Sequence, residues 1–88
     1  MNIQPMDGGF EVVNEGKQVG RIVWSLQNDV MIMNGTFLDD SLRGQNMGQK
    51  LLDEAANYAR EHQYKMQAVC PYVVKQFERS DAYDDVKA

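Results

Sequence analysis

Residues 42–52 read Leu42-Arg43-Gly44-Gln45-Asn46-Met47-Gly48-Gln49-Lys50-Leu51-Leu52, and within them the chain changes its period. From Met47 to His62 the inward-type positions Met47, Leu51, Leu52, Ala55, Tyr58, Ala59 and His62 recur every three or four residues. Asp53, Glu54, Asn57, Arg60 and Glu61 fall on the other side, so the spacing predicts an amphipathic helix over 47–62. A loop containing glycines that opens a helix can aim several backbone N–H groups at one point. Together with the positive end of the helix dipole, those donors make an anion site. Arg43 and Lys50 add local cations to it. The same residues also fit a plain helix start, with Asn46 as N-cap and Gln49 three positions on, as a capping box requires.

Upstream the pattern is that of strands. Phe10–Val13 is a strand, and Asn14-Glu15-Gly16-Lys17 is a turn in which glycine can take a positive φ. Gln18–Leu26 is rich in branched and aromatic residues, Gln27-Asn28-Asp29 is a second turn, and Val30–Phe37 is a third strand. Asn34-Gly35 is a hairpin signal, but too little chain follows it before Asp39-Asp40, so a bulge or bend is expected there. Met31, Met33 and Met66 are expected to fill core gaps. Residues 1–9, with Pro5 and Gly8-Gly9, read as a flexible lead-in.

Downstream, Tyr64–Cys70 is a fourth strand stopped by Pro71, which cannot donate to a ladder. Tyr72–Glu78 is a short second helix with an apolar edge of Val73, Val74 and Phe77, and residues 80–88 read as an acidic, loosely packed tail. The predicted order is β-β-β-α-β-α: an α/β sandwich in which an antiparallel meander feeds a helix that crosses to a fourth strand parallel to the third. Eighty-eight residues make a single domain, too short for a doubly wound nucleotide fold.

The charge balance excludes one class of partner. Nine basic residues against thirteen acidic ones leave a net charge of −4, whereas a non-specific nucleic-acid binder needs a surplus of cations to displace counterions. The apolar runs are far below the ~20 residues needed to cross a bilayer, and the N-terminus lacks the cation and apolar stretch of a signal peptide, so a cytoplasmic location is expected. Cys70 is the sole cysteine, which leaves no internal disulfide and no metal knuckle, and no metal is expected.

The run Thr36-Phe37-Leu38-Asp39-Asp40-Ser41-Leu42-Arg43-Gly44-Gln45-Asn46-Met47-Gly48, then the helix, then Val69-Cys70-Pro71-Tyr72 and Phe77, resembles the GNAT acetyltransferase superfamily, in particular its minimal branch of about ninety residues. The resemblance covers roughly Phe10 to Val86. It implies an acyl-CoA-dependent transfer of acetyl from acetyl-CoA to a primary amine. In that family the loop reads Arg/Gln-x-x-Gly-x-Gly/Ala and its amides hold the diphosphate of CoA. Carried over, this places Arg43, Gly44, Gln45, Asn46, Met47 and Gly48 around the diphosphate. The strand ending at Phe37 and Leu38 would meet the pantetheine arm where the third and fourth strands splay. Taken alone, Cys70 reads as an inert core thiol; the resemblance instead puts it beside the thioester, as acyl acceptor or pocket lining, with the helix starting at Tyr72 able to depress its pKa. Tyr72 would give its hydroxyl proton to the departing thiolate, or else be a half-buried aromatic that anchors the short helix. Lys75 and Arg79, four apart on one helix face, would meet the nucleotide phosphates, or else form a solvated basic edge.

Three positions depart from the family pattern. The glycine usual at the loop centre is Asn46, whose amide could cap the helix and occupy an N–H that the diphosphate would use. A histidine that relatives carry before the threonine is Gly35, which leaves no side chain there to act as base. A His-Pro of relatives reads Ser80-Asp81. These departures keep open a catalytically weakened acyl-CoA-binding or protein-interaction module on the same scaffold. The acidic surface suggests a cationic acceptor, a small polyamine or a lysine side chain.

Overall fold

The computed structural model describes residues 2–88. Five strands, β1 (Asn2–Met6), β2 (Gly9–Asn14), β3 (Lys17–Gln27), β4 (Val30–Leu38) and β5 (Lys65–Ala68), form one sheet in chain order. Two helices, α1 (Met47–His62) and α2 (Pro71–Arg79), complete the mixed α/β fold. The first three pairings are antiparallel and β4–β5 is parallel, with α1 as the crossover. The two-residue hairpin turns follow from side chains that tolerate the left-handed region. Glu15-Gly16 and Asn28-Asp29 all have positive φ, which suits the right-handed twist of the flanking strands.

Alternation along the strands sends Phe10, Val12, Ile22, Met31, Met33 and Met66 to one face, where they meet Leu51, Leu52, Ala55, Ala56 and Ala59 of α1. The three alanines keep the helix close to the sheet, and the three methionines fill what the alanines leave, as expected. Helix α1 ends at Gln63, which takes φ 60° where glycine is commoner; its N–H bonds the Ala59 and Arg60 carbonyls, and the Tyr64 N–H returns to Ala59. The Asn34-Gly35 signal resolves as a bulge. Val23 pairs with Gly35 and Trp24 with Met33, which leaves Asn34 as the extra residue.

Two sequence expectations require correction. Of the expected flexible lead-in 1–9, residue 1 lies outside the described residues, and Asn2–Met6 is an edge strand paired along its length with β2, so the order gains a strand. Pro5 is compatible because an edge strand has one side that needs no donor. The tail 80–88 is not loose. Tyr83 and Val86 are 3% and 2% exposed, and the Tyr83 hydroxyl donates to Asp53 at 2.6 Å. Arg60 grips Asp85 with two N–H groups (2.7 and 3.0 Å) and also donates to the Ala82 carbonyl. The Met66 N–H donates to Val86 and the Ala88 N–H to Met66, so the chain end lies along β5. Two large apolar residues inside an acidic stretch suffice to dock it, and its acids answer Arg60 and Lys87.

Candidate functional site

The parallel ladder between β4 and β5 covers only Val30–Met33 against Lys65–Ala68, and its last link is the Cys70 N–H to the Met33 carbonyl at 2.9 Å. Beyond that point β4 continues to Leu38 while β5 has ended, so a gap opens between them. The Asp39 N–H bonds the Val19 carbonyl. Given the alternation of an antiparallel ladder, this commits the peptide groups of Phe37 to Arg21 on β3 and turns those of Thr36 and Leu38 toward the gap. Of the two expected strand residues, Leu38 therefore offers its peptide to the gap. Phe37 does not; its ring lies on the sheet face away from α1, under the Arg21 guanidinium at 4.4 Å.

A single 3-10 turn, Asp40–Leu42, follows β4, with the Asp39 carboxylate accepting the Ser41 N–H at 3.0 Å. That bond holds the Asp39 pKa below the usual carboxylate range. The loop's backbone donors can then be counted one by one. The Arg43 N–H goes to Asp40 and the Gln45 N–H to Leu42. Those of Gly44, Asn46, Met47, Gly48 and Gln49 find no acceptor among the described residues. Gly44 (φ 82°) and Asn46 (φ 53°) both take left-handed backbone, so the loop coils tightly ahead of α1. The Arg43 side chain is 84% exposed, with only a 3.6 Å ion pair to Asp40. Such a pair restrains the guanidinium little.

The expected capping role of Asn46 is corrected. Its side chain makes no cap hydrogen bond, and neither does a capping box form with Gln49. An N-cap side chain reaches the first-turn amides from extended backbone, whereas the left-handed backbone of Asn46 points it elsewhere. Asn46→Gly is accordingly expected to change CoA affinity less than twofold and stability by no more than about 0.5 kcal/mol. Calorimetric titration and a thermal melt check both.

On the other side of the gap, Cys70 is the N-cap of α2 and Pro71 its first residue. The Cys70 sulfur is buried and lies 3.6 Å from the Thr36 hydroxyl. Burial pushes its pKa up, but the Thr36 hydroxyl and the amides of Val73 and Tyr72 more than offset it, so the thiol sits below its ordinary value. Those amides approach the sulfur without closing a formal capping bond. The Tyr72 ring reaches back across the start of α1. A Cβ at Gly48 would stand 2.9 Å from the Tyr72 Cζ and hydroxyl oxygen and 3.2 Å from Leu38. Burial first, and then the Asp53 carboxylate, raise the Tyr72 pKa above its usual value, with Arg79 opposing. The phenol therefore stays protonated through neutral and mildly alkaline pH. Arg79 thus belongs to the surroundings of Tyr72; Lys75 is exposed on α2 and makes no hydrogen bond or ion pair among the described residues.

Gly35 has its own explanation. A Cβ there would meet the Phe37 ring at 2.7 and 2.9 Å, so the aromatic ring occupies the space a side chain at 35 would need. Two contributors escaped the sequence reading. Thr36 was part of the motif but had no assigned task until the strand register turned its hydroxyl to Cys70. Gln49 was assigned a capping side chain, whereas its contribution is a free amide. Among the described residues no group of three or more His, Cys, Asp or Glu is placed to hold a metal, and no helix is long and apolar enough to cross a membrane.

A strand pair that parts beside a loop of unclaimed amides is the architecture of acyl-CoA-dependent transferases, and the sequence agrees: residues 9–86 match the family described as GCN5-related N-acetyl-transferase. The chain belongs to that family, and membership implies acetyl-CoA as co-substrate and an amine as acceptor. A GCN5-like candidate N-acetyltransferase from Staphylococcus aureus is 28% identical, with TM-score 0.82 over 99% of this chain and 87% of that one. The ribosomal-protein-S18-alanine N-acetyltransferase of Escherichia coli (15% identity, TM-score 0.61) aligns over 66% of this chain and 38% of its own. The IAA acetyltransferase of Bacillus cereus (19%, TM-score 0.60) aligns over 82% and 51%. These two share the fold, and this chain spans about half of their length or less. No curated protein matches the chain in sequence.

Proposed function

We propose that the protein transfers acetyl from acetyl-CoA to a primary amine. The observation that carries this reading is the set of five N–H groups, at Gly44 and Asn46–Gln49, left without acceptors at the positive end of α1. They would hold the diphosphate, with Arg43 and Gln45 beside it and Arg79 and Lys75 toward the nucleotide phosphates. The peptides of Thr36 and Leu38 would extend the β4 ladder onto the pantetheine arm. This lays the thioester near Cys70 and Tyr72. The neutral amine attacks the carbonyl carbon, the C–S bond breaks, and the Tyr72 hydroxyl gives its proton to the departing thiolate. The proton lost by the new amide passes to water, since Gly35 offers no base. A Tyr72 pKa above the ordinary value suits a donor that must be protonated at working pH.

The test has two parts: calorimetric titration of CoA, and CoA release on adding amines. Binding with amine-dependent release supports the transferase. Binding with no release across a broad amine panel leaves an acyl-CoA-binding module, and no binding removes both readings. Arg43→Ala is expected to weaken CoA binding about tenfold, the value of one charge-assisted contact, with an unchanged melting temperature. An equal fall in both would make Arg43 part of the scaffold.

Cys70 favours a second route to the same product. Its lowered pKa and position at the start of α2 would let the thiolate take the acetyl group and expel CoA thiolate before the amine attacks. Because the shift is downward, this route would persist below the pH at which an ordinary thiol loses its thiolate fraction. Intact mass after mixing with acetyl-CoA checks it. A single acetyl adduct, absent in Cys70→Ala, supports the relay; no adduct leaves Cys70 as pocket lining.

A further inference from the structure

The sheet face away from α1 carries Arg21, Val23, Gly35 and Phe37: alternation sets them opposite Ile22 and Thr36, and the bulge at Asn34 returns Met33 to the buried face. Arg21 stands directly across the β2–β3 ladder from Glu11, yet the two form no ion pair. Glu11 is occupied from both sides, accepting the amide N–H of Gln4 at 2.8 Å and of Gln18 at 2.7 Å. Those bonds hold its pKa low, so it remains a satisfied anion. Arg21 instead lies over the Phe37 ring and gives one N–H of Nη1 to Gln18 at 3.1 Å. A guanidinium has five donors, so four stay open on a cation fixed by an aromatic platform. The ring is itself held by Gly35, where any side chain would displace it. Phe37 is 50% exposed and forms, with the neighbouring Leu38 at 42%, an apolar edge at the end of β4.

These side chains line a depression of about 250 Å³, together with Gln18, Leu38 and Asp39. Asp39, its one carboxylate, turns Oδ1 to the Ser41 amide. The depression lies beside the gap, because Phe37 sits between Thr36 and Leu38, whose peptides face it. On the α1 side Gly48 lies close to both the Tyr72 ring and Leu38. The Arg21 depression thus offers an approach to the gap on the sheet face opposite the start of α1, to which the diphosphate would be drawn.

We infer that Arg21, braced on Phe37, anchors a carboxylate of the acceptor, so that the substrate is a primary amine that also carries a carboxylate. This rests on the acetyltransferase reading and narrows it. The planar fork matches a carboxylate with two parallel bonds, a match that a lysine cannot reproduce. The global charge of −4 points to a cationic acceptor, while Arg21 sets one cation with open donors in this depression beside Asp39. An amine with a carboxylate satisfies both.

The probes are N-acetylglycine and its neutral counterpart N-acetylglycinamide, titrated into 15N-labelled full-length protein with and without CoA. The expected result is saturable movement of the Arg21 Nε–Hε signal and of the Gly35 and Phe37 amides with the acid only. Arg21→Gln should abolish it, and Arg21→Lys should weaken it about tenfold. In turnover, Arg21→Gln should raise KM for carboxylate-bearing amines about tenfold and leave KM for neutral amines unchanged. An equal response to acid and amide, an unaltered response in Arg21→Gln, or no response at tens of millimolar overturns the inference. So does movement of the Arg21 signal by CoA alone, which would assign the guanidinium to the nucleotide. CoA binding is read separately on the amides of Asn46–Gln49, so loss of the transferase reading is distinct from loss of this one.

Discussion

Gly9→Ala is expected to destabilise the protein by about 3 kcal/mol or more, lowering the melting temperature by roughly 12–24 °C for a domain of this size. A Cβ at residue 9 would stand 2.0 Å from the Ile22 carbonyl oxygen and 3.1 Å from the Val23 Cα. Neither neighbour is the free end of a side chain. Both are backbone within the β2–β3 ladder, where Gly9 pairs with Val23 and Phe10 with Ile22. To admit one methyl group the strands must separate, and the Trp24 N–H to the Gly8 carbonyl, 3.0 Å, goes with them. The disturbance would reach the site, because the register of β3 fixes that of β4 and hence which peptides face the gap. Gly16→Asn is the control. Gly16 has nothing within 4 Å of its would-be Cβ, and asparagine tolerates its positive φ, so the change should cost about 1 kcal/mol or less. A Gly9→Ala melt within a few degrees of the parent would mean that β2 and β3 are not locked at this point.

The same glycine illustrates what could be read from the residues and what could not. Gly8-Gly9 after Pro5 looks like a flexible lead-in, because a glycine kept for close approach and a glycine in a loose segment are identical in sequence. Only the paired backbone distinguishes them. The tail misled for a related reason: its acids dominate its composition, while docking depends on Tyr83, Val86 and the reach of Arg60. Elements with a period fared better. Helix α1 occupies Met47–His62, as its spacing predicts, since seven residues repeating on one face leave no competing register. The bulge at Asn34 followed from counting the residues left before Asp39. At the site, the motif located the loop and Cys70 but not the direction of the hydrogen bonds. Asn46 at a helix start implies a cap only when its backbone is extended, and φ is not written in the residue type. Phe37 and Leu38 are equivalent as neighbours in a strand. The ladder separates them, giving one peptide to β3 and the other to the gap.

Gln49→Pro is expected to reduce CoA affinity by about tenfold to a hundredfold while leaving the fold intact. Proline is tolerated in the first turn of a helix, where the N–H it removes has no intrahelical acceptor. Gln49 is the third residue of α1, its side chain is exposed, and no cap bond involves it. Gly48 precedes it and can absorb the restriction that proline places on its predecessor. The substitution therefore subtracts one donor from the proposed diphosphate cradle and little else. A hydrogen bond to a charged group contributes about 1.5–3 kcal/mol, which sets the range given above. Arg43→Ala removes charge and should show a weaker effect at high salt, since an exposed cation is screened. Gln49→Pro removes an oriented backbone donor and should lose nearly the same factor at low and high salt. That difference separates a site held by local charge from one held by the geometry of the helix start. Undiminished binding in Gln49→Pro, at a melting temperature equal to the parent's, would show that the free amides at the head of α1 are not what grips the ligand, and the acetyltransferase reading would lose its physical basis.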